Sequence, residues 1–278
     1  MGTPLFSILI AHFNSGSYFL DCLNSILKQS YTNFEVIILD DCSTDGSLET
    51  VKTLVSSDHR FKIFQNDSNQ GVGFTKNKLV SLCSGEICGF VDPDDAIHED
   101  AVKIMVDAHQ HYPNASIINS NMYICDEQLQ VQRTQEAKKM DAGNAHFFNL
   151  ELAIFHFATF KKASFLQTDG IHPYLKIAED QDLYLKLYDV GEHEIIPETL
   201  YYYRKNLQGL IQTSKEVKIL AWHWYVILRT AERRNLDVSD IIVENFILRD
   251  RLNKVKNSKW AKLGYKLGIF KNYAKLLD

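Results

Sequence analysis

Ile87-Cys88-Gly89-Phe90-Val91-Asp92-Pro93-Asp94-Asp95 is an uncharged, strand-forming run that ends abruptly in three carboxylates. An apolar stretch of this length, bounded by a turn signal, reads as a buried strand. Similar strand patterns lie at Leu5–His12, Glu35–Leu39, Lys62–Gln65 and Ser116–Asn119, separated by segments of helical period. That alternation predicts an α/β domain whose central sheet is mostly parallel and flanked by helices. On the helices, Leu20, Leu23, Ile26 and Leu27 fall on one face, as do Leu48, Val51, Leu54 and Val55, and again Ile104, Met105 and Ala108. Each is expected in the core.

The rest of the chain narrows the class. Its 278 residues are 45% hydrophobic and 23% charged, which excludes disorder and low complexity. Five cysteines, with no C-x-x-C pair and no zinc-like spacing, fit a reduced, cytoplasmic compartment. Neither an export signal nor a run of about 18 apolar residues is visible, so no membrane span is expected. The net charge of −5 is uneven: Arg251 to Asp278 holds eight Lys/Arg and one acid, a local +7 that leaves −12 on residues 1–250. Residues 126–146 read as a loop or hairpin excursion and Asp180–Val190 as a helix. Glu194–Ile196 and Leu200–Arg204 read as strands, and the chain from Lys215 onward as helical, with Ile219, Trp222, Val226 and Leu228 as buried candidates.

In open α/β sheets the loops at the carboxyl ends of strands line a common crevice where ligands bind. Three such ends are polar here: Ala11-His12-Phe13-Asn14, Asp40 through Gly46, and Asp92 through Asp95. Crowded carboxylates repel unless a cation neutralises them, and oxygen-only donors suit Mg²⁺ or Mn²⁺. The competing reading is an acidic turn that caps the next helix. Asp41-x-Ser43-x-Asp45-Gly46 is not a calcium loop, because the twelfth position is Lys52. Asn69 through Asn77 lacks the Gly-Lys-Ser/Thr of a P-loop, although paired glycines at a helix start let backbone amides approach an anion. Glu179-Asp180-Gln181-Asp182-Leu183 opens a helix, where acids are favoured by the dipole, and Asp180 could instead face the crevice as a general base.

In order and spacing these segments resemble the family 2 glycosyltransferases, inverting enzymes of the GT-A fold. Ser7 through Asn14 is similar to that family's opening strand, and Ile38 through Ser47 to its D-D-G-S-T-D-G-S segment. Asn69-Gln70-Gly71 through Asn77, with Ser84-Gly85-Glu86-Ile87, resembles the stretch leading to the D-x-D motif, here Asp92-x-Asp94. Glu179-Asp180-x-Asp182-Leu183 is similar to the segment carrying the catalytic base. The resemblance covers residues 5 to about 205. It departs at Ala11-His12, where Pro-Thr or Pro-Ser is frequent, and at Cys42, where glycine is usual. A Cβ disfavours left-handed backbone, so the Cys42 turn is expected to differ.

The resemblance implies a GT-A catalytic domain over residues 1–212 and a helical C-terminal segment over 213–278. It implies a nucleoside pocket from Ala11, Phe13, Asn14 and Asp41, with Asn69, Gly71, Asn77 and Asp92 also on the nucleotide. Asp94, with Asp92, would hold Mn²⁺ or Mg²⁺, and Asp180 would be the base. The donor would be a nucleotide-diphospho-sugar, most simply a UDP-sugar, and the acceptor a hydroxyl of a saccharide or lipid-linked glycan. Glu179, His156 and His172 are candidates for acceptor contact or support, although aromatics as dense as those around residues 147–178 are commonly core. The basic, aromatic tail suits either an anionic membrane surface or packing on the acidic body or a dimer partner. Nucleic acid is not expected, because the acidic body would repel phosphates. A sugar-phosphate nucleotidyltransferase and a non-catalytic sugar-nucleotide-binding subunit are the alternatives. The first would show a basic, glycine-rich loop near the first strand, and none is present.

Overall fold

The computed structural model describes residues 2–140, 149, 153–206, 209 and 216–240, and then 242, 243, 247, 254, 258, 259, 263 and 266. Four parallel strands begin the fold: β1 (Phe6–His12), β2 (Phe34–Asp40), β3 (Phe61–Gln65) and β4 (Ile87–Phe90). The crossovers are α1 (Phe19–Leu27), α2 (Ser47–Val55) and α3 (Val72–Leu82). Alternate residues of β1 and β2 serve the two faces. Ile8, Ile10, Val36 and Ile38 enter one core cluster, and Leu9, Ile37 and Leu39 the other. Pairing of His12 with Asp40 and of Leu9 with Phe90 brings the carboxyl ends of β1, β2 and β4 to one edge.

Beyond β4 the sheet becomes mixed. β5 (Ala96–Ile97), α4 (Ala101–His111), β6 (Ala115–Cys125), β7 (Val131–Gln135) and β8 (Ala158–Lys161) come next. They are followed by α5 (Lys162–Phe165), α6 (Glu179–Val190), β9 (Glu192–Arg204) and α7 (Glu216–Arg234). Among the described residues the strand order is β3-β2-β1-β4-β8-β6-β9-β5, with β7 on β6. β8 runs antiparallel to β4 and β6, whereas β9 runs parallel to β6. The expected excursion after residue 125 contains the β6–β7 hairpin.

Three expectations are corrected. Leu20, Leu27 and Leu54 are 42%, 44% and 41% exposed, because α1 and α2 each bury only a narrow stripe, in α1 Phe19, Cys22, Leu23 and Ile26. Leu228 is likewise exposed. The two strands expected around Pro197 are one strand: Pro197 has no N–H to give, and a register shift opposite Ser120–Met122 absorbs it while Asn121 donates to its carbonyl at 2.7 Å. Cys42 does adopt left-handed backbone, with φ of 66°. Hydrogen bonds from the Ser43 amide and hydroxyl to Asp40 hold the turn against a cost of about 1–2 kcal/mol.

The chain divides into two compact units, Met1–Thr230 and Ala231–Asp278. Most of the basic tail lies outside the described residues, Trp260 and Tyr265 included. No helix among the described residues is long and apolar enough to cross a membrane.

Candidate active site

A cavity of about 800 Å³ opens at the carboxyl edge of the sheet. Ala11, Asp92, Asp94, His156, Glu179 and Asp180 all line it, so acids 88 residues apart in the chain meet at one hollow. Its cationic counterpart is a residue that sequence reasoning missed. Lys76, 2% exposed on α3, has Nζ 2.8 Å from Asp180 Oδ1, 2.9 Å from Glu179 Oε1 and 3.5 Å from Asp92 Oδ1. A signal existed: Lys76 sits at helical spacing with buried Gly73, Leu79 and Val80, on the inward face of α3.

Asp180 is the second residue of α6, whose N-terminus favours negative charge. The turn into α6 is sharp, with Ala178 left-handed at φ 65°. His156 Nε2 approaches Asp180 Oδ2 at 3.4 Å and Asp92 Oδ2 at 3.7 Å, and its ring stacks on Tyr201 at 5.2 Å. Burial alone would push the Asp180 carboxyl up, but Lys76 and His156 overcome it and hold it well below the usual carboxylate range. Burial pulls the His156 imidazole down, and the charges of Asp180 and Asp92 more than reverse that, raising it to about 9. At neutral pH the pair is therefore an imidazolium beside a carboxylate. Glu179 moves the other way: burial raises it, and the lysine charge only partly compensates.

The acidic turn after β4 is braced from β9. Asp95, 1% exposed, accepts Tyr201 Oη at 2.8 Å and the Arg204 amide at 2.7 Å. Arg204 Nε donates to the Asp94 carbonyl at 2.6 Å and its Nη2 to Asp21 at 2.7 Å, while Asn206 Nδ2 donates to Asp94 Oδ2 at 2.9 Å. Tyr201 and Arg204 read from sequence only as part of an alternating strand, and nothing local distinguishes them from their neighbours. Burial and the nearby Asp92 raise the Asp94 carboxyl above its ordinary value. Arg204 and the Asn206 hydrogen bond offset that rise only in part. Asp92 and Asp94 present hard oxygen donors at the mouth of the hollow. They fit a Mg²⁺ or Mn²⁺ held by one or two carboxylates with substrate phosphates completing the shell, rather than a cage made wholly by protein. Among the described residues no group of three or more His, Cys, Asp or Glu is arranged to hold a metal alone.

The other expected residues sit around this hollow rather than on its wall. Asp41, 4% exposed, accepts Asn66 Nδ2 at 2.8 Å, the Gln70 amide at 2.9 Å and the Gly71 amide at 2.8 Å. The backbone amides expected to meet a ligand anion thus meet a protein carboxylate, with Gly71 at φ 89° allowing the turn. Asn69 is exposed on this loop and Phe13 is 47% exposed beyond β1. Asn14 caps the loop opposite, its Oδ1 accepting the Thr44 amide at 2.9 Å. Asn77 accepts the Ile171 amide at 2.9 Å, and His172 contacts Tyr225 Oη at 3.2 Å, so both support the segment entering α6. Asp182 does the same, taking the His172 amide at 2.9 Å and Lys186 Nζ at 2.9 Å. His12 fills the gap beside β1 with Nδ1 2.8 Å from Asp40 and Nε2 2.7 Å from Ser15.

The architecture that carries this site is the GT-A fold. The structure of Staphylococcus aureus TarS 1–349 in complex with UDP-GlcNAc superposes with a TM-score of 0.69 at 20% identity, over 98% of this chain and 81% of that one. A mannosyltransferase from Pyrobaculum calidifontis in complex with GDP-Man and Mn²⁺ gives 0.60 at 16% identity, over 100% and 84%. Residues 7–168 match the model for glycosyl transferase family 2, and the chain belongs to that family. Chondroitin synthase of Escherichia coli is 30% identical over 267 residues, which is 94% of this chain and 37% of that protein. The chain spans about two fifths of the length of such curated relatives.

Proposed function

We propose that this chain transfers a sugar from a UDP-sugar to a hydroxyl of a saccharide or lipid-linked glycan, with inversion at the anomeric carbon. The observation that carries the reading is the shared cavity of Asp94 and Asp180, in which Asp180 is kept ionised by Lys76 and His156. A UDP-sugar fits best because TarS, of the same fold, is described with UDP-GlcNAc, and because relatives include a chondroitin synthase.

In this reading the nucleoside lies along the ends of β1 and β2, against Ala11, Phe13 and Asn14, with the loop held by Asp41 as its floor. Among the described residues Asp41 Oδ2 accepts one donor, the Gly71 amide, which leaves an acceptor position for a base N–H. Asp94 and Asp92 would hold a divalent ion, which when bound would neutralise charge on the leaving diphosphate. Asp180 accepts the acceptor hydroxyl proton. The oxygen forms its bond to the anomeric carbon as the bond to the diphosphate breaks on the opposite face. The 3.4 Å contact to His156 is the looser of the two on Asp180, and it is the one an incoming hydroxyl can replace. Residues 1–212 suffice for this chemistry in the proposal. A cytoplasmic setting agrees with five free cysteines, and the basic tail would serve an anionic membrane surface.

The test is sugar release from UDP-GlcNAc and related UDP-sugars with Mn²⁺, in the wild type and in Asp180→Asn and Asp94→Ala. Turnover lost in both, with UDP still bound by Asp180→Asn, supports the proposal. Undiminished turnover in Asp180→Asn refutes it.

A further inference from the structure

We propose that Cys83 and Cys88 form an oxidative modification site, at which hydrogen peroxide closes the two thiols reversibly into a disulfide near the amino end of β4. Neither cysteine lines the cavity, and the inference does not depend on the transfer reading.

The two sulfurs lie 3.5 Å apart in residues 5 apart in the chain, and the backbone on both sides is held. Cys83 follows α3, its amide donating to the Leu79 carbonyl at 3.2 Å and its carbonyl accepting Lys162 Nζ. Cys88 of β4 pairs with Ser7 of β1 on one side and Phe160 of β8 on the other. The turn between them is pinned as well. The Ser84 amide reaches Glu35 Oε1, the Gly85 amide donates to Ser7 Oγ at 2.8 Å, and the Glu86 amide donates to the Leu5 carbonyl at 2.9 Å. A Cβ on Gly85 would sit 2.8 Å from that same carbonyl, so the turn lies tight against the start of β1. A disulfide needs about 2.05 Å between sulfurs, and side-chain rotation supplies the remaining approach of about 1.5 Å while the turn keeps the thiols facing each other.

Their surroundings give the two thiols different roles. Cys83 is the outer one, 4% exposed between the exposed Ser81 and Ser84, whereas Cys88 is fully buried. With Cys88 as donor, the contact between the sulfurs brings the Cys83 thiol down to about 7. The Lys162 charge and the Ser7 hydroxyl act in the same direction, against burial and Glu35. That matters because the thiolate is the nucleophile. Cys88 keeps its proton, since the same contact and burial hold it well above the ordinary thiol value. Cys22 and Cys125, by contrast, are held up by burial and the acids near them.

The chemistry follows from those roles. The Cys83 thiolate attacks one peroxide oxygen and the O–O bond breaks. Hydroxide leaves with the electron pair, takes up the proton that Cys83 released and becomes water, and Cys83 is left as a sulfenic acid. The Cys88 sulfur then attacks Cys83 Sγ. Its proton goes to the departing hydroxyl, and a second water leaves as the S–S bond forms. Two thiols are oxidised to one disulfide, and one peroxide is reduced to two waters. Cys88 thereby captures the sulfenic acid before a second peroxide carries it to the irreversible sulfinic acid.

The experiment treats the full chain with hydrogen peroxide, unfolds it in urea with iodoacetamide, and weighs its tryptic peptides by mass spectrometry. Both thiols fall in one such peptide, Leu79–Lys103. In the wild type it is expected to be two hydrogens lighter and unalkylated, and to carry two alkylated thiols when dithiothreitol precedes the iodoacetamide. At the same dose Cys88→Ser should carry Cys83 on to sulfinic acid, two oxygens heavier, and Cys83→Ser should leave Cys88 a thiol. A wild-type peptide that remains fully alkylatable overturns the site, whether or not another cysteine is oxidised. Equal sulfinic acid at Cys83 in the wild type and in Cys88→Ser overturns it too. The wild-type arms decide the matter even where a variant fails to fold, and no outcome touches the transfer reading because sugar transfer is not what is measured.

Discussion

Lys76 Nζ lies 2.8 Å from Asp180 Oδ1 although 104 residues separate them in the chain. The contact ties α3, which belongs to the parallel half of the sheet, to the start of α6, which follows the mixed half. A lysine 2% exposed is stable in this position because Glu179 and Asp92 share its charge with Asp180.

Removing that charge should be costly. Lys76→Ala leaves three carboxylates together without their cation, and a loss of about 3–5 kcal/mol is expected. Urea unfolding of the purified variant measures it, and a loss below 1 kcal/mol (about one fifth of the upper bound) would mean the acids relax into water.

Asp180→Asn keeps shape and removes the proton acceptor. Transfer should fall about 10²- to 10⁴-fold while UDP affinity stays within a factor of about two. Calorimetric titration with UDP alongside product assays separates the two quantities.

The pH profile should report His156. Its folded value, about 9, lies above the unfolded value of roughly 6.5, so the stability it adds is complete below pH 6.5 and is lost as pH rises to about 9. The groups facing it are Asp180, Asp92, Lys76 and the Tyr201 ring. Melting temperatures taken from pH 6 to 10 should decline over that window in the wild type, and His156→Gln should flatten the decline.

Acid should act through different histidines. Burial holds His109 down at about 3 and His193 at about 4, with His109 bonded to Thr159 and His193 to Asn119. Each is neutral when folded and protonated when unfolded. Their contribution is therefore present above pH 6.5 and is lost towards the folded values, by up to about 1.4 kcal/mol per pH unit for each. A shallower acid limb is expected for His109→Gln in urea titrations between pH 7 and 4.

Gly73→Ala tests how closely α3 must approach the segment before α6. A Cβ there would lie 2.6 Å from the Leu175 carbonyl and 2.8 Å from that of His172. Backbone must move, at a cost of about 1–3 kcal/mol, and activity should drop further than stability alone explains because that segment leads to Asp180. Circular dichroism melts and product assays on the same preparation check both parts.

Several features were legible from residue order because they are local. The uncharged run ending at Asp92, the strands beside it and the acidic start of α6 each announce themselves within about ten residues, through period and dipole rules. Other features were not. Pro197 suggested a break, but the register shift across β6 lets one strand run through it. Cys42 argued against left-handed backbone, yet Asp40, Ser43 and His12 hold the turn in place.

By itself the sequence determined the α/β class, the parallel first half and the order of acidic motifs, since hydrophobic period and strand-end polarity are properties of short segments. Tertiary structure alone decided that Lys76 and His156 flank Asp180, that Tyr201 and Arg204 brace Asp95, and that Asp41 holds a loop. Those facts depend on which strands become neighbours and in what register. Distances of a few ångströms between groups about a hundred residues apart follow only when the sheet has closed around them.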